Sequence, residues 1–218
     1  DSLGIERVAL VAVSAGGPAA IQFAHRFPEL VSCLVLMAAI TRKTGLSNDQ
    51  LNSALGKLVM SRRAQNPAYF LIHRAMHLLP GLTLRDFART ETTYDPGVAP
   101  KILAQVTGDP AQLQQVRQLA DAMVPAPPRF PGVMNDLEVQ QALPDQRLES
   151  LALPTLIIHS RYDGDVPFAG AEEAAQRIPG AQLIAVDQFG HFVWWGNPDV
   201  TRKFQQRMLE FLQSATSE

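Results

Sequence analysis

The 218-residue sequence predicts an α/β protein: part of a mostly parallel sheet flanked by helices, interrupted by a long helical insertion. Three observations carry this. Near the start, Val8-Ala9-Leu10-Val11-Ala12-Val13 is apolar without a break, and a valine-rich run of this kind reads as a strand buried on both faces of a parallel sheet. Near the end, Thr155-Leu156-Ile157-Ile158-His159, introduced by Pro154, opens a second block of the same style. Between the blocks, residues 41–150 are helix-patterned, lack β-branched runs and are punctuated by prolines.

The elements follow in order. After Val13 the turn Ser14-Ala15-Gly16-Gly17 leads into Pro18 to Phe27, where proline at a first helical turn and good helix formers predict a helix that Pro28 stops. Val31 to Ala39 is a second buried strand, so strand, glycine turn, helix and strand form one βαβ unit. The domain reading is core at 1–40, helical lid or cap at 41–150, and core again at 151–218. Within the insertion, Leu51 to Met60 and Ala111 to Met123 carry the clearest helical patterns, and the whole is expected to lie over one edge of the sheet. In the last block, Ala169 to Ile178 reads as a helix and Ala181 to Val186 as a short strand. The closing helix, Asp199 to Leu212, sets Val200, Phe204, Met208, Phe211 and Leu212 on one face.

Composition narrows the function classes. An apolar content of 46% excludes a disordered chain, and no apolar run approaches the ~20 residues that span a bilayer. A net charge of −2 leaves no basic field for nucleic acid and no polybasic patch for a membrane surface. Cys33 is the one cysteine; it forms no internal disulfide and reads as a buried small hydrophobe. A soluble globular enzyme is the expectation.

Ser14 is the most informative position. It stands where a buried strand turns sharply into a helix, among small Ala12, Ala15, Gly16 and Gly17. Large neighbours would collide in such a turn, which lifts the hydroxyl clear of the sheet and aims a helix N-terminus at it. The alternative role is a helix cap after a glycine-rich turn. Asp163 follows the TLIIH strand, at the end where open α/β sheets place functional groups; its alternative is a turn-forming residue before Gly164. His191 lies in Gln188-Phe189-Gly190-His191-Phe192, after the last short strand. Together they stand in the order serine, aspartate, histidine, each behind its own strand.

At these residues the sequence resembles the α/β-hydrolase superfamily. Ala12 to Gly17 resembles its nucleophile elbow, and Arg26-Phe27-Pro28-Glu29-Leu30-Val31 the stretch after the elbow helix. Leu153 to Asp163 with Val166-Pro167 resembles the acid strand, Gly190-His191-Phe192 the histidine loop, and Asn197-Pro198 through Leu212 the closing helix. The resemblance implies a serine hydrolase cleaving an ester, thioester or carbon–carbon bond beside a carbonyl in a small apolar substrate, with no cofactor and in the cytoplasm. Ser14 would be nucleophile, His191 base, Asp163 orienting acid, and the Ala15 N–H an oxyanion donor. Two departures stand out. The first elbow glycine is Ala12, and the strands preceding the elbow strand in the family have no counterpart. Because an apolar first strand makes an exposed sheet edge, roughly 60–90 further N-terminal residues of the same protein are expected to complete the sheet and supply the second oxyanion donor.

Four secondary expectations complete the reading. Asp163 rather than Asp165 is the acid, with Gly164 permitting the turn and Asp165 left to cap the helix beginning near Pro167. Trp194 and Trp195 either line a substrate pocket or cement the last helix. His73 and His77, at i and i+4, lack a third ligand at a telling spacing, so no metal is expected. The rival function is a hydrolase-fold protein that captures a small ligand without turnover.

Overall fold

The computed structural model describes residues 4–44, 65–94, 97–124, 128 and 130–216. Strands β1 (Val8–Val13), β2 (Val31–Met37), β3 (Thr155–Ser160) and β4 (Gln182–Val186) form one sheet in that order, every pair parallel. Helix α1 (Gly17–Arg26) connects β1 to β2, α7 (Ala169–Arg177) connects β3 to β4, and α8 (Pro198–Thr216) closes the chain. Between β2 and β3 the described residues hold α2 (Gln65–Leu78), α3 (Pro80–Glu91), α4 (Ala99–Gly108), α5 (Pro110–Ala122) and α6 (Phe130–Gln141), and no strand. The helix expected at Leu51 to Met60 lies outside the described residues.

The two-residue period of the strands divides the core. Leu34 and Leu36 of β2 and Ile157 of β3 pack with Ile21 and Ala24 of α1 and Ala171 and Ala174 of α7. Their neighbours Cys33, Val35, Leu156 and Ile158 face Phe204 and Phe211 of α8 instead. Both β2 and β3 are buried along their whole length, which is why they read as unbroken apolar runs. Cys33 is a free thiol with no exposure, as expected of a packing residue.

β1 pairs with β2 alone, so it is the apolar sheet edge that the sequence implies for this strand in the described structure, and Val11 and Val13 are 50% and 40% exposed. An apolar run reports what a strand is made of, not whether a neighbour covers it. In the insertion, α2–α5 bury Met76, Leu84, Ile102, Val106 and Val116 against Phe189 and Trp195, so they pack on the loop beyond the C-terminal end of β4, the strand at one edge of the sheet. No described helix is long and apolar enough to cross a membrane.

Candidate active site

The three residues singled out from sequence converge at the C-terminal ends of β1, β3 and β4. Ser14 takes a left-handed backbone, φ 52°, directly after β1. That conformation is costly for a residue with a side chain and persists only where the surroundings enforce it. Here the Ile40 N–H donates to the Ser14 carbonyl at 3.0 Å, and a Cβ on Gly17 would lie 2.2 Å from the Ile40 carbonyl oxygen. Gly17 thus lets the start of α1 press against the strand end. Ala12 is tolerated because the turn leaves its methyl room: even a Cβ on Gly16 opposite would stand 4.0 Å from it. The capping alternative for Ser14 fails, since Gly16 occupies the α1 N-cap with no side-chain cap bond.

The Ser14 Oγ lies 2.9 Å from His191 Nε2, and His191 Nδ1 lies 3.0 Å from Asp163 Oδ2. A carboxylate only accepts, so Nδ1 carries the proton and Nε2 is left to accept from the serine hydroxyl. Asp163 is 3% exposed and fixed from several sides. Its Oδ1 accepts from the backbone N–H of Asp165 at 3.0 Å and of Val166 at 2.8 Å. Burial pushes the Asp163 carboxyl up, but hydrogen bonds from His159 and His191 outweigh it and hold the group below the ordinary carboxylate range. For His191 burial works downward, and the Asp163 hydrogen bond with the charges of Asp163, Asp165 and Glu91 more than reverses it, leaving the imidazole above its ordinary 6.5. Asp165 does not cap a helix: Phe168 holds the α7 N-cap, and Asp165 Oδ2 stands 3.7 Å from His191 Nε2.

Supporting residues outside the sequence reading complete the site. His159, fully buried in β3, directs Nε2 at the Val166 carbonyl (2.9 Å) and lies 3.1 Å from Asp163 Oδ2. The Tyr94 hydroxyl donates to the Gln188 carbonyl and accepts from the Gly190 N–H at 3.1 Å. Burial drives its phenol well above the ordinary range, so it stays protonated and able to donate. The Glu91 carbonyl, at the end of α3, accepts from Gly164 and His191 at 3.1 and 3.3 Å and so joins the acid turn to the histidine loop. These contacts give Gly164 a different reason from the expected one. Its φ is not positive; instead, a Cβ there would lie 2.9 Å from the Thr92 nitrogen. Gly190 needs both freedoms, with φ +47° and a Cβ that would meet the Glu91 oxygen at 2.2 Å.

Trp195 is 1% exposed, stacked on Phe192 with centroids 4.6 Å apart, and its indole N–H reaches Gln115 Oε1 at 3.1 Å. It is a packing residue, not a pocket wall. Trp194 is partly buried between the α8 face and the helical segment. A crevice of about 120 Å³ beside Ser14 is lined by Ile40, Thr44, Leu137, Gln140, Asp165 and Val166, and touches neither tryptophan. A larger cavity of about 710 Å³, between α1 and residues 144–147, contains none of the three converging residues.

Comparison with known proteins agrees with this architecture. The profile of a family described as alpha/beta hydrolase fold matches residues 1–198. An uncharacterized hydrolase, YcgS, of Bacillus subtilis is 29% identical over 196 residues, covering 90% of this chain and 66% of the relative. A 2-hydroxymuconate semialdehyde hydrolase of Pseudomonas putida is 29% identical over 216 residues, 99% of this chain and 66% of its own. The chain thus spans just under two thirds of these curated relatives. Among solved structures, an alpha/beta hydrolase fold protein from Nakamurella multipartita superposes with a TM-score of 0.83 at 23% identity, covering 97% of this chain and 71% of that one.

Proposed function

The chain belongs to the alpha/beta hydrolase fold family, and from that premise we propose that it is the catalytic part of a serine hydrolase in which Ser14, His191 and Asp163 act as nucleophile, base and orienting acid. The observation that carries this reading is the strained Ser14, φ 52°, holding its Oγ 2.9 Å from an imidazole nitrogen whose partner nitrogen is bonded to a buried carboxylate. A helix cap or turn residue requires none of that geometry.

In this reading His191 Nε2 takes the hydroxyl proton as Ser14 Oγ bonds to the substrate carbonyl carbon. The negative charge passes to the carbonyl oxygen, where the Ala15 N–H at the helix start is one donor. Collapse expels the leaving group, which receives the proton from His191, and water repeats the sequence on the acyl-enzyme. The substrate is a small apolar molecule with an ester-like or carbon–carbon bond beside a carbonyl. The names of relatives that hydrolyse 2-hydroxymuconate semialdehyde and related oxo-acids support the carbon–carbon option. Helices α2–α6 serve as a lid, further strands pair beside the exposed edge of β1, and the setting is cytoplasmic.

The test is hydrolysis of a short-chain p-nitrophenyl ester by the full-length protein and its Ser14→Ala variant. The proposal expects turnover in the parent and a loss of about 10³-fold or more in the variant. Equal turnover in both would overturn Ser14 as the nucleophile, and tight binding of the ester with no release of nitrophenol would favour a ligand-capturing role.

A further inference from the structure

The two helical histidines that sequence leaves without a third partner acquire one in the fold. His73 and His77 lie a turn apart on one face of α2. Helix α5 brings Asp121 across, and the Nε2 atoms of both rings converge on one oxygen, Asp121 Oδ1, at 2.8 and 2.9 Å. The three ligand atoms all lie within 4.8 Å of one another, and the ring centroids are 4.7 Å apart. We propose that His73, His77 and Asp121 bind one divalent transition-metal ion of the zinc type, which clasps α2 to α5.

Hydrogen bonds alone use this arrangement poorly. The Asp121 side chain is 56% exposed, and exposed ion pairs contribute little. Two neutral rings would crowd their donors onto a single oxygen, while two protonated rings would set like charges in contact. A dication replaces both with one charge at the point the three groups already face. Two imidazole nitrogens and a carboxylate suit zinc, nickel or copper rather than the all-oxygen demands of calcium or magnesium. Bonds of about 2.0–2.2 Å in tetrahedral geometry put ligand atoms about 3.3 Å apart. The half-exposed carboxylate therefore retreats by about half an ångström, and the two ring nitrogens, within 4.8 Å of each other, adjust to the same spacing. Binding a metal at Nε2 leaves each ring proton on Nδ1, and His73 Nδ1 is buried with no partner among the described residues. The site shares no residue with the Ser14–His191–Asp163 chain, and the proposal stands whether or not that chain is catalytic.

The experiment is calorimetric titration of chelator-treated purified protein with Zn²⁺, beside thermal melts. The expected result is one equivalent bound, weakened at least about tenfold in both His77→Ala and Asp121→Ala, which lie on different helices. His191→Ala, lacking the imidazole of the other carboxylate-bound histidine, retains it. Zinc raises the melting temperature of the parent and not of the two ligand variants. Circular dichroism checks folding, and His77→Gln replaces the alanine variant if that one is unfolded. Absence of binding in the parent, or undiminished binding in both folded ligand variants, would overturn the site.

Discussion

Two carboxylates approach His191 from opposite ends of its ring, Asp163 at Nδ1 and Asp165 near Nε2, at 3.0 and 3.7 Å. Only the first distance is a hydrogen bond, and Asp163 is further locked by the backbone N–H groups of Asp165 and Val166. Asp163→Asn is therefore expected to cut turnover by up to ~10⁴-fold by leaving the imidazole in the wrong tautomer, whereas Asp165→Asn keeps most activity. A kinetic comparison of the two folded variants checks the ranking, and the reverse order would reassign the acid. Asp165 still acts through charge. The base must be neutral, so kcat/KM rises with pH through the His191 pKa, which lies above 6.5. Removing the Asp165 charge takes away one influence that raises it, so the acid limb of the Asp165→Asn profile moves to lower pH. A limb that stays or moves up contradicts the assignment. At this scale the convergence of Ser14, Asp163 and His191 is legible in the sequence, because each follows its own apolar strand at a turn. It is a poor guide to His159, which within TLIIHS looks like one more strand residue until the fold sets it against Asp163.

Among the elements, the end of α3 and the residues after it hold the acid turn and the histidine loop together. The Tyr94 hydroxyl bridges Gln188 and Gly190, the latter 96 residues away. Tyr94→Phe leaves the Gly190 N–H without that acceptor and is expected to destabilise the protein by about 1–3 kcal/mol, with a fall in kcat as His191 loses its fixed position. Denaturant unfolding and steady-state kinetics on one preparation check both effects; unchanged values in each would show that the contact is idle. Such links explain why the strands and closing helix are predictable to within a few residues while these supports are not. Strand and helix patterns are local, whereas the Glu91 carbonyl and Tyr94 hydroxyl gain a role only from what packs on them. Trp195 illustrates the same limit: an aromatic beside a catalytic loop reads equally as wall or core, and the buried Phe192 stack decides for core.

For the whole molecule, β1 combines exposed apolar side chains, Val11 and Val13, with a backbone edge that no described strand pairs. Long apolar edges invite pairing, and the account expects strands of the full-length protein to occupy this one. Hydrogen exchange on the full-length protein then finds β1 amides protected to the same degree as those of β2; rapid exchange along β1 contradicts it. The central claim is that one strained serine is the nucleophile, and its most direct test is covalent. Treating active full-length protein with a fluorophosphonate and mapping the adduct by peptide mass analysis is expected to find the label on Ser14 alone, with activity lost in step. Label on another serine, or an active protein that takes up none, would contradict the account.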